Sequence, residues 1–270
     1  MGRLISRGEG RTALITGASS GIGAAFADRL AGKGFNCILV ARRTDAMKEL
    51  ARHLEDTHHV SVNVLTADLS TDAGIAAVER RISDDSSIDV LVNAAGFGMR
   101  GMFAETDPRK IESMIILHAL ATARLCRAAL PAMIRNRRGW IINVSSMGAY
   151  FTAPHYVTYS ATKSFITMLT RGLRSELVGT GVRVQALSPG LTRSEFLFTD
   201  EFRDINYNNI PFFFWMSADT VARKSLAALR WNRAVVVPGL GNKLWVIYMK
   251  LPVIGPLFQW MMGRLAGASY

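Results

Sequence analysis

Tyr159 and Lys163 stand four residues apart in a stretch read as helical, so a phenol and an ammonium share one helical face about a turn apart. A phenol with its ordinary pKa of about 10 is a poor base at neutral pH, and a nearby cation favours its anion and lowers that value. The pair can therefore exchange protons with a substrate as an acid/base group. Ser146 lies thirteen residues earlier, at the end of a predicted strand, where its hydroxyl can hydrogen-bond a substrate oxygen as charge develops on it.

A second group of residues can hold an anion. Gly17, Gly21 and Gly23, in the run Thr16-Gly17-Ala18-Ser19-Ser20-Gly21-Ile22-Gly23, fall between a predicted first strand and a first helix. Glycines at these positions allow a tight turn, a close approach of backbone N–H groups to a pyrophosphate, and close helix packing, while the helix N-terminus adds positive partial charge. The second predicted strand ends Val40-Ala41-Arg42-Arg43. An acid at that tip would bond a free ribose 2′-hydroxyl, whereas two arginines favour a 2′-phosphate, so the expected cofactor is NADP(H) ahead of NAD(H).

These groups need a scaffold that brings distant strand ends together. Short aliphatic runs at Thr12–Thr16, Asn36–Ala41, Ser61–Thr66, Ile88–Val92, Trp140–Ser145, Val182–Leu187 and Ala234–Val237 alternate with helical spacing at Ala46–Leu54, Ile111–Ile134 and Phe165–Leu177. Near-continuous apolar strands are those buried on both faces. The expected fold is therefore α/β: a doubly wound, mainly parallel, Rossmann-like sheet with helices on both faces, its ligands at the carboxyl ends of the strands. Residues 1–11 read as a basic extension, 12–240 as one catalytic domain and 241–270 as an apolar C-terminal segment. Within the domain, residues 191–216 break the alternation with Phe196, Phe198, Phe202, Tyr207, Phe212, Phe213, Phe214 and Trp215, which reads as a substrate lid.

From about residue 11 to about residue 238 the chain resembles the short-chain dehydrogenase/reductase family. The resemblance is carried by Thr16 to Gly23, Asp68-Leu69, Asn93-Ala94-Ala95-Gly96, Asn143-Val144-Ser145-Ser146, Tyr159-Ser160-Ala161-Thr162-Lys163 and Ser188-Pro189-Gly190. It implies a carbonyl–alcohol oxidoreductase in which Tyr159, Lys163 and Ser146 are catalytic and Lys163 also holds the nicotinamide ribose. It further implies a cofactor site formed by Gly17, Ser19, Ser20, Gly21, Ile22, Gly23, Arg42, Arg43, Asp68, Leu69, Asn93, Ala94, Ala95, Gly96, Tyr159, Lys163, Pro189, Gly190, Leu191 and Ser194. In such a site Asp68 meets the adenine edge, Asn93 to Gly96 form the turn that stabilises the central sheet beside the cofactor, Pro189 and Gly190 pass the nicotinamide, and Ser194 faces its carboxamide. Where family members carry a proton-relay asparagine in the long fourth helix, this chain has His118, either an altered relay or a histidine with a structural hydrogen bond.

Composition narrows the partners. The chain has 270 residues, 49% of them hydrophobic and 20% charged, and a formal charge of +11, which fits one stable domain with affinity for anions. No zinc-ligand spacing, aromatic RNA-binding motif or concentrated basic helix accompanies the charge, so neither a metal nor nucleic acid is expected. Two cysteines, Cys37 and Cys126, read as buried thiols, and the basic N-terminus lacks an apolar signal core, which makes the cytoplasm the expected location. The aromatic lid implies an apolar substrate such as a steroid, long-chain acyl or terpenoid-like ketone, though the same rings could seal the core or a subunit contact. The run Leu244 to Met262 is interrupted by Lys250, Pro252 and Pro256. It suits a lid or subunit contact in a homodimer or homotetramer, or a peripheral membrane contact, better than a straight span. The leading expectation is an NADPH-dependent carbonyl reductase; the alternatives are a 3-oxoacyl carrier reductase, whose basic surface would dock an acidic carrier, and a non-catalytic NADPH-sensing scaffold.

Overall fold

The structure is a computed structural model that describes residues 8, 10–198 and 214–265. Its strands are β1 (Thr12–Thr16), β2 (Asn36–Ala41), β3 (Val62–Thr66), β4 (Ile88–Asn93), β5 (Gly139–Val144), β6 (Val182–Leu187), β7 (Thr192–Arg193), β8 (Met216–Ser217) and β9 (Val235–Val236). Seven of them form one parallel sheet in the order β3-β2-β1-β4-β5-β6-β9, while β7 and β8 pair separately. The order reverses between β1 and β4, which opens a crevice at their carboxyl ends.

Helices cover both faces because successive residues of each strand point to opposite sides. On one face Ala13, Ile15, Leu39 and Val92 pack with Phe26 and Leu30 of α1 (Gly21–Ala31) and with Val221 and Leu226 of α7 (Ala218–Ala228); α2 (Thr44–His58) adds Met47 and Leu54. On the other, Leu14, Ile38, Val40 and Leu91 meet Ile75 and Val78 of α3 (Asp72–Ser83) and Leu125 and Met133 of α5 (Thr122–Arg135). The first six predicted strands lie within a residue or two of those observed. The last shrinks from Ala234–Val237 to Val235–Val236, because only that much of this edge pairs with β6.

The predicted continuous helix Ile111–Ile134 is instead three pieces: α4 (Pro108–Ile115), a π-helical turn at Ile116–Ala121, and α5. Widening one turn of a helix re-aims the side chains that follow it. Here the turn carries His118, which is fully buried. The whole run Pro108–Arg135 is long and apolar enough to cross a membrane, but Ala121, Leu125, Ala129 and Met133 bury its inner face in the sheet's second core.

α6 (Val157–Glu176) carries Tyr159 and Lys163 toward the carboxyl edge of β5. Beyond β9, the apolar tail forms two helices, α8 (Leu240–Met249) and α9 (Ile254–Leu265), separated by a turn containing Pro252.

Candidate active site

A cleft of about 1090 Å³ opens at the carboxyl ends of the strands. Along one wall runs the glycine-rich turn. Gly17 has φ +67°, and a Cβ there would lie 2.8 Å from the Ala94 carbonyl oxygen and from the Ala95 backbone. A Cβ on Gly23 would lie 2.2 Å from the Gly17 carbonyl oxygen, so α1 can start against the turn only because both residues are glycine. Ser20, the N-cap of α1, makes no side-chain capping bond, and the first turn of the helix has no acid. Free N–H groups at a helix start attract an anion.

Arg43 closes this end of the cleft, donating from Nη2 to the Ser20 hydroxyl at 2.8 Å and to Glu195 Oε2 at 2.8 Å. Both partners of the ion pair are more than half exposed. Such a pair is worth about 0–1 kcal/mol, so a bound phosphate can displace the carboxylate. Exposed Arg42 lines the same wall. Burial works against the Asp68 carboxylate, but hydrogen bonds from the Ser70 hydroxyl and amide, helped by the charge of Arg42, outweigh it and hold its pKa below the ordinary value.

Of the expected cofactor contacts, Gly17, Ser19 to Gly23, Arg42, Arg43, Asp68, Leu69, Ala94, Ala95, Gly96, Pro189, Gly190, Leu191 and Ser194 all line the cleft. Asn93 does not line it. Its amide is buried, donating to Asn143 Oδ1 at 2.8 Å, and Asn143 in turn donates to Thr170 on α6 at 3.0 Å. Asn93 therefore ties β4 to β5 and holds the sheet from behind, in keeping with the sheet-stabilising role that the resemblance implies for Asn93 to Gly96, while the residues that follow it face the cleft.

At the floor, Ser146, Tyr159 and Lys163 come together. The Ser146 hydroxyl accepts from the Gly148 amide at 3.1 Å and lies close enough to the Tyr159 phenol to act on its protonation. Lys163, 5% exposed, sends its ammonium to the Val144 carbonyl at 3.1 Å and lies 5.7 Å from the centre of the Tyr159 ring.

This geometry corrects the electrostatic expectation. Burial raises the Tyr159 pKa, the Ser146 hydrogen bond opposes the rise, and nearby Tyr156 adds to it; the Lys163 charge is not among the causes. Burial also lowers Lys163 itself to about 7. A low-dielectric site disfavours each charged form. The phenol is thus held in its protonated form.

His118 lies behind the cleft lining. Its Nε2 accepts from the Phe97 amide at 3.2 Å, which leaves the proton on Nδ1 to donate to Thr162 Oγ1 at 3.0 Å, and Thr162 donates to the Tyr159 carbonyl at 2.9 Å. The imidazole thus joins the turn after β4 to the first turns of α6, and its edge meets the Tyr159 ring with centroids 6.0 Å apart. A Cβ on Gly96 would lie 2.8 Å from Nε2, so that glycine admits the ring. Both nitrogens are occupied, and burial, with Lys163 next, holds the pKa well below 6.5.

A pH dependence follows. The unfolded chain protonates His118 below about 6.5 and the folded chain does not, so the unfolded state binds more protons there and stability falls with acid. The loss approaches about 1.4 kcal/mol per pH unit below 6.5. Melting temperatures of wild type should drop between pH 6.5 and 5, and His118→Asn should flatten that drop; an unchanged acid limb in the variant would refute this assignment.

Several contributors escaped the sequence reading. Thr16 accepts from the Ala94 and Ala95 amides at 3.0 and 3.1 Å, binding the glycine turn to the turn after β4. The buried Ser145 hydroxyl donates to the Lys163 carbonyl at 2.8 Å. Fully buried Asn242 on α8 abuts Gly190, where a Cβ would lie 2.6 Å from its amide. A lone amide in the apolar run after Pro238 was the available signal.

The far wall is aromatic. Phe196 lies 6.1 Å from the Tyr159 ring, and Phe151, Phe214 and Trp245 line the cleft beyond it. Trp245 meets Phe151, Phe214 and Phe258 edge to face at 6.4, 6.1 and 5.4 Å, so the C-terminal helices contribute to this wall. Of the other aromatics expected in the lid, Phe202, Tyr207, Phe212 and Phe213 and the side chain of Phe198 lie outside the described residues.

A doubly wound sheet, a glycine turn at its switch point and a Ser–Tyr–Lys floor define a nucleotide-binding oxidoreductase fold. Residues 11–202 match the short chain dehydrogenase family, and the chain belongs to it. It is 32% identical over 182 residues to the inactive hydroxysteroid dehydrogenase-like protein 1 of Rattus norvegicus, a match covering 67% of this chain and 55% of that protein, little more than half its length. A short-chain dehydrogenase from Sphingobium yanoikuyae in complex with NADPH superposes with a TM-score of 0.79 at 32% identity over 96% of both chains. The bulky-bulky ketone specific alcohol dehydrogenase of Comamonas testosteroni gives 0.74 at 31% identity, over 96% of this chain and 94% of that one.

Proposed function

We propose that the chain is an NADPH-dependent reductase of bulky, apolar ketones, with Tyr159 as proton donor. The observation that carries this reading is the adjacency of Ser146 and Tyr159 at the floor, with the glycine turn on one side and aromatic rings on the other. The NADPH complex of the Sphingobium relative and the ketone specificity of the Comamonas relative support it.

The residues fit the cofactor. The uncapped start of α1 and the Gly17–Gly23 turn would hold a pyrophosphate, Arg42 and Arg43 a 2′-phosphate, and Asp68 the adenine. When bound, the reduced nucleotide supplies the hydride. Tyr159 gives its proton to the carbonyl oxygen while the Ser146 hydroxyl donates a hydrogen bond to the same atom, lowering the cost of charge that develops there. Lys163 lies beside the phenol and, with a pKa near 7, can return a proton to it at neutral pH. His118 acts through the backbone it braces and is a positioning residue.

Purified protein should oxidise NADPH in the presence of diaryl or steroid ketones and be at least tenfold slower with small sugars. In the Arg42→Ala/Arg43→Ala double variant, loss of two charge-assisted contacts of about 1.5–3 kcal/mol each should weaken NADPH binding at least 100-fold and leave NADH within about threefold. Equal losses for both nucleotides would remove the 2′-phosphate assignment. The inactive rat relative favours a second reading, a nucleotide-binding protein without turnover. Tight NADPH binding with no ketone consumed across the panel would select it.

Self-association is part of the same proposal. Leu120, Ile134, Phe165 and Met168 on and beside α5 and α6 are at least 40% exposed, an apolar surface suited to a homodimer.

A further inference from the structure

We propose that the α8–α9 hairpin docks this protein on the surface of a bilayer containing anionic lipids. A helix as rich in apolar residues as α8 is ordinarily buried over most of its surface, and α8 is not. Asn242, Val246 and Met249 are buried on its inner side. Its outer side presents Leu240 (74% exposed), Leu244 (58%), Ile247 (60%) and Tyr248 (47%) at helical spacing. The row runs on through Leu251 and Val253 of the connecting turn, then Leu257, Trp260 and Met261 on α9, each at least 44% exposed. Single exposed hydrophobics need no explanation; nine of them along two consecutive helices and their turn mark an interaction surface.

The charges choose the occupant. Asp219 is the last acidic residue of the chain, so the hairpin has cations and no anion to balance them. Lys243, Lys250 and Arg264 are exposed along it. Arg264 lies 4.3 Å from the centre of the Trp260 ring, and Lys250 4.5 Å from that of Tyr150. A second copy docked by two-fold symmetry would bring cationic apolar face against cationic apolar face, with no acid of the hairpin to pair them. An anionic bilayer instead offers phosphates to the lysines and arginine and hydrocarbon to the leucines, with tryptophan at the boundary between them.

Length fixes the mode of contact. The helices have 10 and 12 residues, against about 20 for a helical span, and Pro252 interrupts the turn between them. The hairpin therefore lies in the interface and does not cross it. The inner side of the same helix lines the cleft through Asn242 and Trp245, so docking would hold the aromatic wall next to a reservoir of apolar molecules. Only this last consequence rests on the ketone-reductase reading; the docking itself stands on the surface alone.

The test is co-sedimentation of the full chain, without substrate, with vesicles of phosphatidylcholine alone and of phosphatidylcholine mixed equally with phosphatidylglycerol. Wild type should partition at least tenfold more strongly onto the anionic vesicles. Leu244→Glu/Leu257→Glu and Lys243→Gln/Lys250→Gln/Arg264→Gln should each lose at least tenfold of that binding while melting cooperatively within a few degrees of wild type. Should a variant misfold, tryptophan fluorescence of wild type provides the second readout: a blue shift on adding anionic vesicles and none on adding neutral ones. Absence of vesicle binding, equal binding to both vesicle types, or a row of apolar residues whose mutation changes the subunit count in sedimentation velocity and leaves lipid binding intact would each overturn the proposal.

Discussion

Tyr159→Phe should lower kcat for ketone reduction by a factor of about 10³ or more, within the 10²–10⁴ that a positioned acid/base group contributes, while NADPH binding stays within about threefold of wild type. The substitution removes one oxygen and leaves the ring against His118 and Phe196. It also leaves the Ser146 hydroxyl able to bond a substrate oxygen, so binding survives where proton delivery fails. Steady-state kinetics with a saturating ketone, paired with nucleotide titration by fluorescence, separate the two effects. A kcat within tenfold of wild type would mean that another group delivers the proton.

Gly23→Ala should have an effect of similar size on a different quantity. Its Cβ would meet the Gly17 carbonyl oxygen at 2.2 Å and the carbonyl carbon at 2.6 Å. Both are backbone atoms, so no side chain can swing aside, and α1 must withdraw from the turn that aims its N–H groups at the cleft. Overpacking of this kind costs about 1–3 kcal/mol of stability. Because the displaced atoms belong to the turn proposed to hold the pyrophosphate, NADPH affinity should fall at least 100-fold as the melting temperature drops by several degrees. Calorimetric titration and thermal melting would register both; unchanged nucleotide affinity would show that the turn is not the anion site.

These two predictions rest on features with different legibility in the sequence. The glycine turn was readable because its constraint is local and steric: a strand, a tight turn and a helix within twelve residues leave few alternatives to glycine at positions 17 and 23. The sheet was readable because its strands are apolar on both faces. Ser146, Tyr159 and Lys163 were readable as a set by order and spacing. Their protonation was not, since it depends on the depth of burial and on Lys163 turning toward the Val144 carbonyl.

Other features lie beyond local pattern altogether. One widened turn at Ile116–Ala121 changes the helical period over too few residues to register in an apolar pattern, yet it directs His118 into the core. Asn93 stands in the same four-residue motif as Ala94, Ala95 and Gly96, and only its pairing with Asn143, fifty residues on, sets it facing away from the cleft. Asn242 meets Gly190 across the fold; the lone amide after Pro238 stands out in the sequence, but nothing near it tells which residue it will face. Long-range pairing, in each case, decided what a side chain faces.

In the proposed reaction the phenol of Tyr159 delivers a proton to a ketone held in the cleft beside the nucleotide. The most direct measurement is product analysis after reduction of a bulky aryl ketone with NADPH deuterated at the transferable ring position, in wild type and Tyr159→Phe. Wild type should give alcohol carrying deuterium on its carbinol carbon, and the variant should release that alcohol at least 10³-fold more slowly. Unlabelled alcohol, or equal rates of labelled alcohol from both proteins, would contradict the proposed reaction.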